Sequence, residues 1–157
     1  MSSLLPGLKA MLNYHPLFVH FPIAFWVGAI VYEAIGVIRG REDFRKVAAI
    51  LLYLGTLCAL AAVGTCWLAE ESVPETGPAR NALEFHETFM LISTSLALGL
   101  SMIASFTRRN PAAKFRKILL PGLVALGILT GLGADRGAQL VYQYGTAVHW
   151  PNAQQQK

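Results

Sequence analysis

The chain has 157 residues, of which 54% are apolar and only 14% charged, with a net charge of +4. Soluble domains carry roughly 25% charged residues, so the composition argues against a water-soluble fold, and the length allows one domain. The positive balance is no nucleic-acid signal, because the basic residues concentrate in two short segments beside long apolar blocks, where anionic lipid headgroups lie.

Four apolar blocks follow one another along the chain. Leu17 to Ile38 contains His20 and Glu33 as its only ionisable side chains; Val47 to Ala69, Thr88 to Phe106 and Ile118 to Ala134 contain no acidic or basic side chain. About 20 apolar residues cross the roughly 30 Å of bilayer hydrocarbon as a helix. The blocks predict an all-α membrane protein, an up-down-up-down four-helix bundle in a single transmembrane domain over 1–157. Its helices are expected near 15–38, 47–69, 82–106 and 117–144, the last extended past the interface by Gly137 to Tyr144 with Asp135 and Arg136 at its watery end. The first 16 residues are poor in basic side chains and lack a cleavage pattern, so no secretory signal peptide is expected.

Charge predicts the orientation. Arg39, Arg41, Arg45 and Lys46 follow the first block, and Arg108, Arg109, Lys114, Arg116 and Lys117 follow the third. The positive-inside rule assigns these two segments to the cytoplasm, which puts both termini and the loop Glu70 to Phe85 on the outward, periplasmic side. Gly55, Ala59, Ala62 and Gly64 in helix two, and Gly127, Gly131 and Gly133 in helix four, are expected to form close helix contacts, as small residues do in lipid. Asn81 with Glu84 three positions on reads as an N-cap and its capping-box partner, so that helix three starts near Ala82. Glu33, near the cytoplasmic end, is expected to reach toward Arg39.

The candidate functional residues are the histidines. His15, His20, His86 and His149 all fall at the outward end of this topology. His20 lies five residues after His15-Pro16, a helix start favoured by proline, and His86 lies five residues after Asn81. At a rise of about 1.5 Å per residue the two imidazoles reach similar depth on helices that run in the same direction. Facing imidazoles at one depth suit a metal, or a haem iron as axial ligands, and bundles build such sites from facing helices. The expected site is therefore a b-type haem on His20 and His86. Phe18, Phe21, Phe25, Trp26, Trp67, Phe85 and Phe89 are candidates for its apolar slot, and Glu84, Glu87 and Asp135 for partners of the outer ring nitrogens. The opposing reading is that these histidines cap, pack or face headgroups. His15 and His20 differ by about 140° around a helix and do not suit one metal from one regular helix, so His15 serves a second site or anchors the helix end. His149, before Trp150-Pro151, reads as an interfacial anchor.

The run His15-Pro16-Leu17-Phe18-Val19-His20-Phe21-Pro22-Ile23-Ala24 resembles the opening signature of a family of small bacterial membrane proteins, domain of unknown function 2231. The resemblance continues through His86 to the segment Gly137 to Gly145 and covers essentially the whole chain. It implies four membrane helices, a bacterial inner membrane and an association with cytochromes. His15, His20 and His86 match the family's motif positions; His149 has no counterpart in it.

Other chemistry is sparse. Cys58 and Cys66, eight apart in one helix, fit neither a CxxC metal motif nor a disulfide; Cys66 lines the histidine site or simply packs. No phosphate loop, catalytic triad order or HExxH motif occurs, and no independent catalytic activity is expected. Three readings follow. The first is a haem-bearing electron-transport subunit near the outer face, working with a membrane or periplasmic redox protein such as a cytochrome or quinone-linked complex. The second is a structural subunit of a larger membrane complex. The third is a copper- or zinc-handling protein that uses His15, His20 and His86, with Cys66 as an additional candidate ligand.

Overall fold

A computed structural model describes residues 4–5, 14–70, 73–109, 114–146 and 148. The described residues form four long α-helices: α1 (His15–Arg39), α2 (Glu42–Ala69), α3 (Pro78–Arg109) and α4 (Leu119–Tyr142), with a 3-10 turn at Lys114–Ile118 before α4. Each is long and apolar enough to cross a membrane, and only 28–33% of each apolar window is buried inside the protein. The rest of each window faces outward, and large side chains such as Ile38, Leu68, Met102 and Ile128 stand on the perimeter. Such a surface is stable against lipid and not against water. The chain is a multi-pass membrane protein. Helices suit that environment because every backbone group is satisfied within the segment.

Local sequence sets the helix ends, and several differ from expectation; α3 runs to Arg109 rather than 106, and α4 begins at Leu119 rather than 117. Pro16 lies in the first turn of α1, and Gly40 closes that helix in the left-handed conformation (φ 63°), with the Arg41 N–H returning to the Gly36 carbonyl at 3.0 Å. A side chain at Gly40 would strain this turn. Helix α2 begins at Glu42 rather than near Val47, because Glu42 and Asp43 occupy its first turn, where acidic groups favour the helix dipole. Helix α3 begins at Pro78 rather than Ala82. Asn81 is not its cap, since its N–H already bonds the Gly77 carbonyl at 3.2 Å. Glu84 pairs with Arg80 instead, and Arg80 also binds Glu70 at 2.5 Å, tying the start of α3 to the end of α2. Helix α4 stops at Tyr142, short of 144, where Gly145 turns the chain at φ 65° and the Thr146 N–H returns to the Leu140 carbonyl at 2.9 Å.

Packing is closest within the pairs α1–α2 and α3–α4, and the pairs join along α2–α3 and α1–α4. This ring order sets α1 and α3 diagonally across the core. Trp26, Leu52, Leu100, Leu123 and Leu126 fill the centre beside Ala29, Ala59, Ala97 and Ala104. Gly55 lets the Trp26 indole lie against α2, and Gly122 accommodates Leu100. The expected small-residue contacts hold at Gly55, Ala59, Ala62, Gly127 and Gly133. Gly64 and Gly131 are corrections: both are exposed, with open space where a side chain would go.

Glu33 also differs from expectation. It is buried and binds Arg45 of α2 through Nη2 at 2.5 Å and Nε at 2.9 Å, rather than reaching Arg39. Arg39 lies six positions on, about 240° around the helix, whereas the Arg45 stem runs through the space left by Gly36, one turn from Glu33.

Candidate functional site

The starts of α1 and α3 and the ends of α2 and α4 meet at one end of the bundle. His15 opens α1, Cys66 lies in the last turn of α2, and His86 lies in α3 beyond its second turn. The imidazoles of His15 and His86 meet across the bundle, with ring centroids 6.0 Å apart and planes at 89°. One ring nitrogen of each and the Cys66 Sγ all lie within 4.8 Å of one another.

Each ring is held by the backbone of a neighbouring helix. The His86 Nδ1–H donates to the Gly133 carbonyl of α4 at 2.8 Å. The His15 Nδ1–H donates to the Ala62 carbonyl of α2 and to Thr65 Oγ1, both at 3.1 Å, while the Thr65 hydroxyl donates to the same carbonyl at 2.9 Å. A carbonyl only accepts, so each Nδ1 carries the proton and each Nε2 keeps its lone pair. Ligating histidines are commonly oriented in this way. Gly137 completes the seat of His86: a Cβ there would stand 3.1 Å from both Cε1 and Nδ1 of the ring. Sequence reasoning did not single out Thr65, Gly133 or Gly137 for this role, and the expected carboxylate partners do not take it. Glu84 is engaged by Arg80, and Asp135 is exposed.

The three donors border an apolar cavity of about 480 Å³, within the range of ligand sites. His20 is on its wall but is exposed, and its Nδ1–H donates to the Pro16 carbonyl of its own helix at 2.6 Å. The residue that meets His86 is thus His15 rather than His20. The depth count expected otherwise because it set the two helix starts level. Helix α3 begins at Pro78, eight residues before His86, whereas His15 is the first residue of α1, so α3 starts about two turns before the level at which α1 opens. Trp26 and Trp67 line the cavity, but among the described residues Phe18, Phe21, Phe25, Phe85 and Phe89 do not. Phe21 is half exposed, Phe85 lies under the Arg136 guanidinium, and Phe25 and Phe89 pack by their Cβ atoms against Gly55 and Gly133. Met90, one turn beyond His86, lines the cavity and rests on Gly133. Glu87 also borders it, with a buried Oε1 that has no hydrogen-bond partner among the described residues. His149 lies outside the described residues.

Two imidazoles and a thiol around one point make a donor set for a metal ion. Ligand bonds of about 2.0 Å to nitrogen and 2.3 Å to sulfur set three donors around one ion about 3.5–3.7 Å apart in a plane, so closure around an ion needs movement on the order of 1 Å. The unpartnered Glu87 oxygen on the same cavity wall is a further oxygen donor. A macrocycle between His15 and His86 fits less well, since the Cys66 sulfur lies beside the line joining their nitrogens, in the region the porphyrin would fill.

No curated protein and no solved structure matches this chain. A family model described as "Predicted membrane protein (DUF2231)" matches residues 11–149, a span that includes the four described α-helices and all three donors, and the chain belongs to that family.

Proposed function

We propose that this protein is a membrane metalloprotein that holds one copper ion at His15, Cys66 and His86 and carries electrons at that end of the bundle. The observation that carries the reading is the convergence of the three donors within 4.8 Å. The fixed Nδ1 protons and the unpartnered Glu87 oxygen support it. Thiolate and imidazole together favour copper or zinc, and two histidines with a cysteine and a more distant thioether form the donor set of one-electron copper sites. Met90 offers that thioether from the cavity wall.

The positive-inside rule supports an outward, periplasmic position for this end in a bacterial inner membrane, with both termini on that side. A centre near one face cannot alone carry electrons across the bilayer. The protein therefore works beside a membrane or periplasmic redox partner, such as a cytochrome or quinone-linked complex.

Metal analysis of protein purified from copper-supplemented cells tests the reading. The expected result is about one copper per chain, lost in His86→Ala and Cys66→Ser and kept in His20→Ala. A protein that binds no copper on reconstitution, or binds it equally in all three variants, overturns it. A b-type haem is the second reading, favoured by the apolar cavity that His20 and His86 both line. It would show sharp visible bands that change on reduction, vanish in His20→Ala and His86→Ala, and survive in Cys66→Ser.

A further inference from the structure

At the opposite end of the bundle a second cavity, of about 290 Å³, opens among α2, α3 and the 3-10 turn before α4. Four cations border it: Arg45, Lys46, Arg108 and Arg116. Two are matched by acids on the same wall. Glu33 binds Arg45, and Glu42 binds Arg116 across the bundle. Lys46 and Arg108 are exposed and form no ion pair among the described residues. The site therefore carries a surplus of two positive charges. Its inner wall is apolar, built from Leu52, Ala104, Leu119 and Leu123.

This combination points to a ligand with an anionic head and an apolar body. A guanidinium suits phosphate oxygens, and lysine adds a point charge. The volume is close to the lower limit of about 300 Å³ for small-molecule sites, which suits a headgroup better than a whole soluble metabolite. The cavity also lies where α2 and α3 leave their apolar blocks, at the level where lipid headgroups meet a spanning protein, and basic pockets between membrane helices bind such groups. We propose that it seats the phosphate of an anionic phospholipid between Lys46 and Arg108, with the glycerol and the start of the acyl chains on the apolar wall. Free inorganic phosphate shares the charge but makes no use of that wall. This site does not depend on the metal reading.

The test is lipid retention by the full chain in nanodiscs of neutral phosphatidylcholine or of phosphatidylcholine and phosphatidylglycerol in equal parts. Native mass spectrometry of the released protein counts bound lipids, and thermal unfolding reports stabilisation. The wild type should retain phosphatidylglycerol selectively and unfold at higher temperature in its presence. The double variant Lys46→Gln/Arg108→Gln should weaken retention roughly thirtyfold, from about 1 kcal/mol per basic residue near the membrane surface. Arg41→Gln, which removes the exposed pair with Asp43 and the contact with the Phe44 ring, both outside the cavity, should leave retention unchanged. Equal retention of both lipids, or an unchanged double variant, overturns the proposal. Stabilisation by inorganic phosphate in neutral lipid, absent from the double variant, overturns the lipid assignment in favour of a soluble anion.

Discussion

Breaking the Glu33–Arg45 pair should be the most destabilising single-charge change in the bundle. The Glu33 side chain is 3% exposed and that of Arg45 16%, and two hydrogen bonds of 2.5 and 2.9 Å join them. Removing one partner of a buried pair costs about 3–5 kcal/mol, because the other is left uncompensated. Glu33→Leu should fall at the low end, about 3 kcal/mol, since the orphaned Arg45 can bend toward the headgroups. That lowers the folding equilibrium constant roughly a hundredfold. Arg45→Met should cost about 5 kcal/mol, because Glu33 has no such exit. The double variant Glu33→Leu/Arg45→Met should return to within about 1 kcal/mol of wild type, as paired apolar replacements often do; Met keeps the unbranched stem that the Gly36 groove accommodates. Reversible unfolding in mixed micelles measures all four corners of the cycle. If Glu33→Leu costs less than about 1 kcal/mol, or if the two single costs simply add, the pair is not the structural link described here.

Two further outcomes test the packing and the topology. Gly55→Ala should destabilise by about 1–3 kcal/mol, because its Cβ would stand 2.5 Å from Cδ1 and 2.7 Å from Nε1 of the buried Trp26 ring; Gly64→Ala, with open space at its position, should be neutral in the same unfolding assay. A periplasm-active phosphatase fused after Glu75 should be active and the same fusion after Glu42 silent, by the charge asymmetry of the loops, and the reverse pattern would invert the assigned orientation.

The four helices were legible because an apolar block long enough to cross a bilayer has few other stable conformations there. Their ends were less so. The blocks mark hydrocarbon, while α2 and α3 run on into polar sequence at Glu42 and Pro78. The site was missed for a further reason. The gathering of histidines at one end followed from topology alone, but the choice of partner for His86 rested on setting the starts of α1 and α3 level, and the sequence of each helix says nothing of how far one is shifted along the other. Cys66 was visible as a candidate and could not be separated from ordinary packing, since its approach to His15 and His86 depends on how α2 leans against both. A usable signal existed in the spacings: Ala62 and Cys66, and Gly133 and Gly137, each lie four apart and so share a helix face. Each pair joins a site element to a small residue.

Those spacings connect packing to chemistry. A helix carbonyl is already bonded within its own ladder, and a second donor reaches it only where no bulky side chain covers the backbone. Ala62 and Gly133 leave their carbonyls open in this way, and His15 and His86 bond to them from other helices. In lipid the same small residues also allow the helices to approach. The histidines are therefore part of the contacts α1–α2 and α3–α4, the two closest in the bundle. Under the copper reading, an ion bound at His15, Cys66 and His86 would tie these two helix pairs together at a point where the described contacts between α1 and α3 are few. Metal binding should then tighten this end of the bundle, by linkage between ligand affinity and folding, and leave the Glu33–Arg45 end unaffected. Amide hydrogen exchange with and without copper can separate the two ends. Equal protection of both, or of neither, would mean that the donors do not bridge the helix pairs.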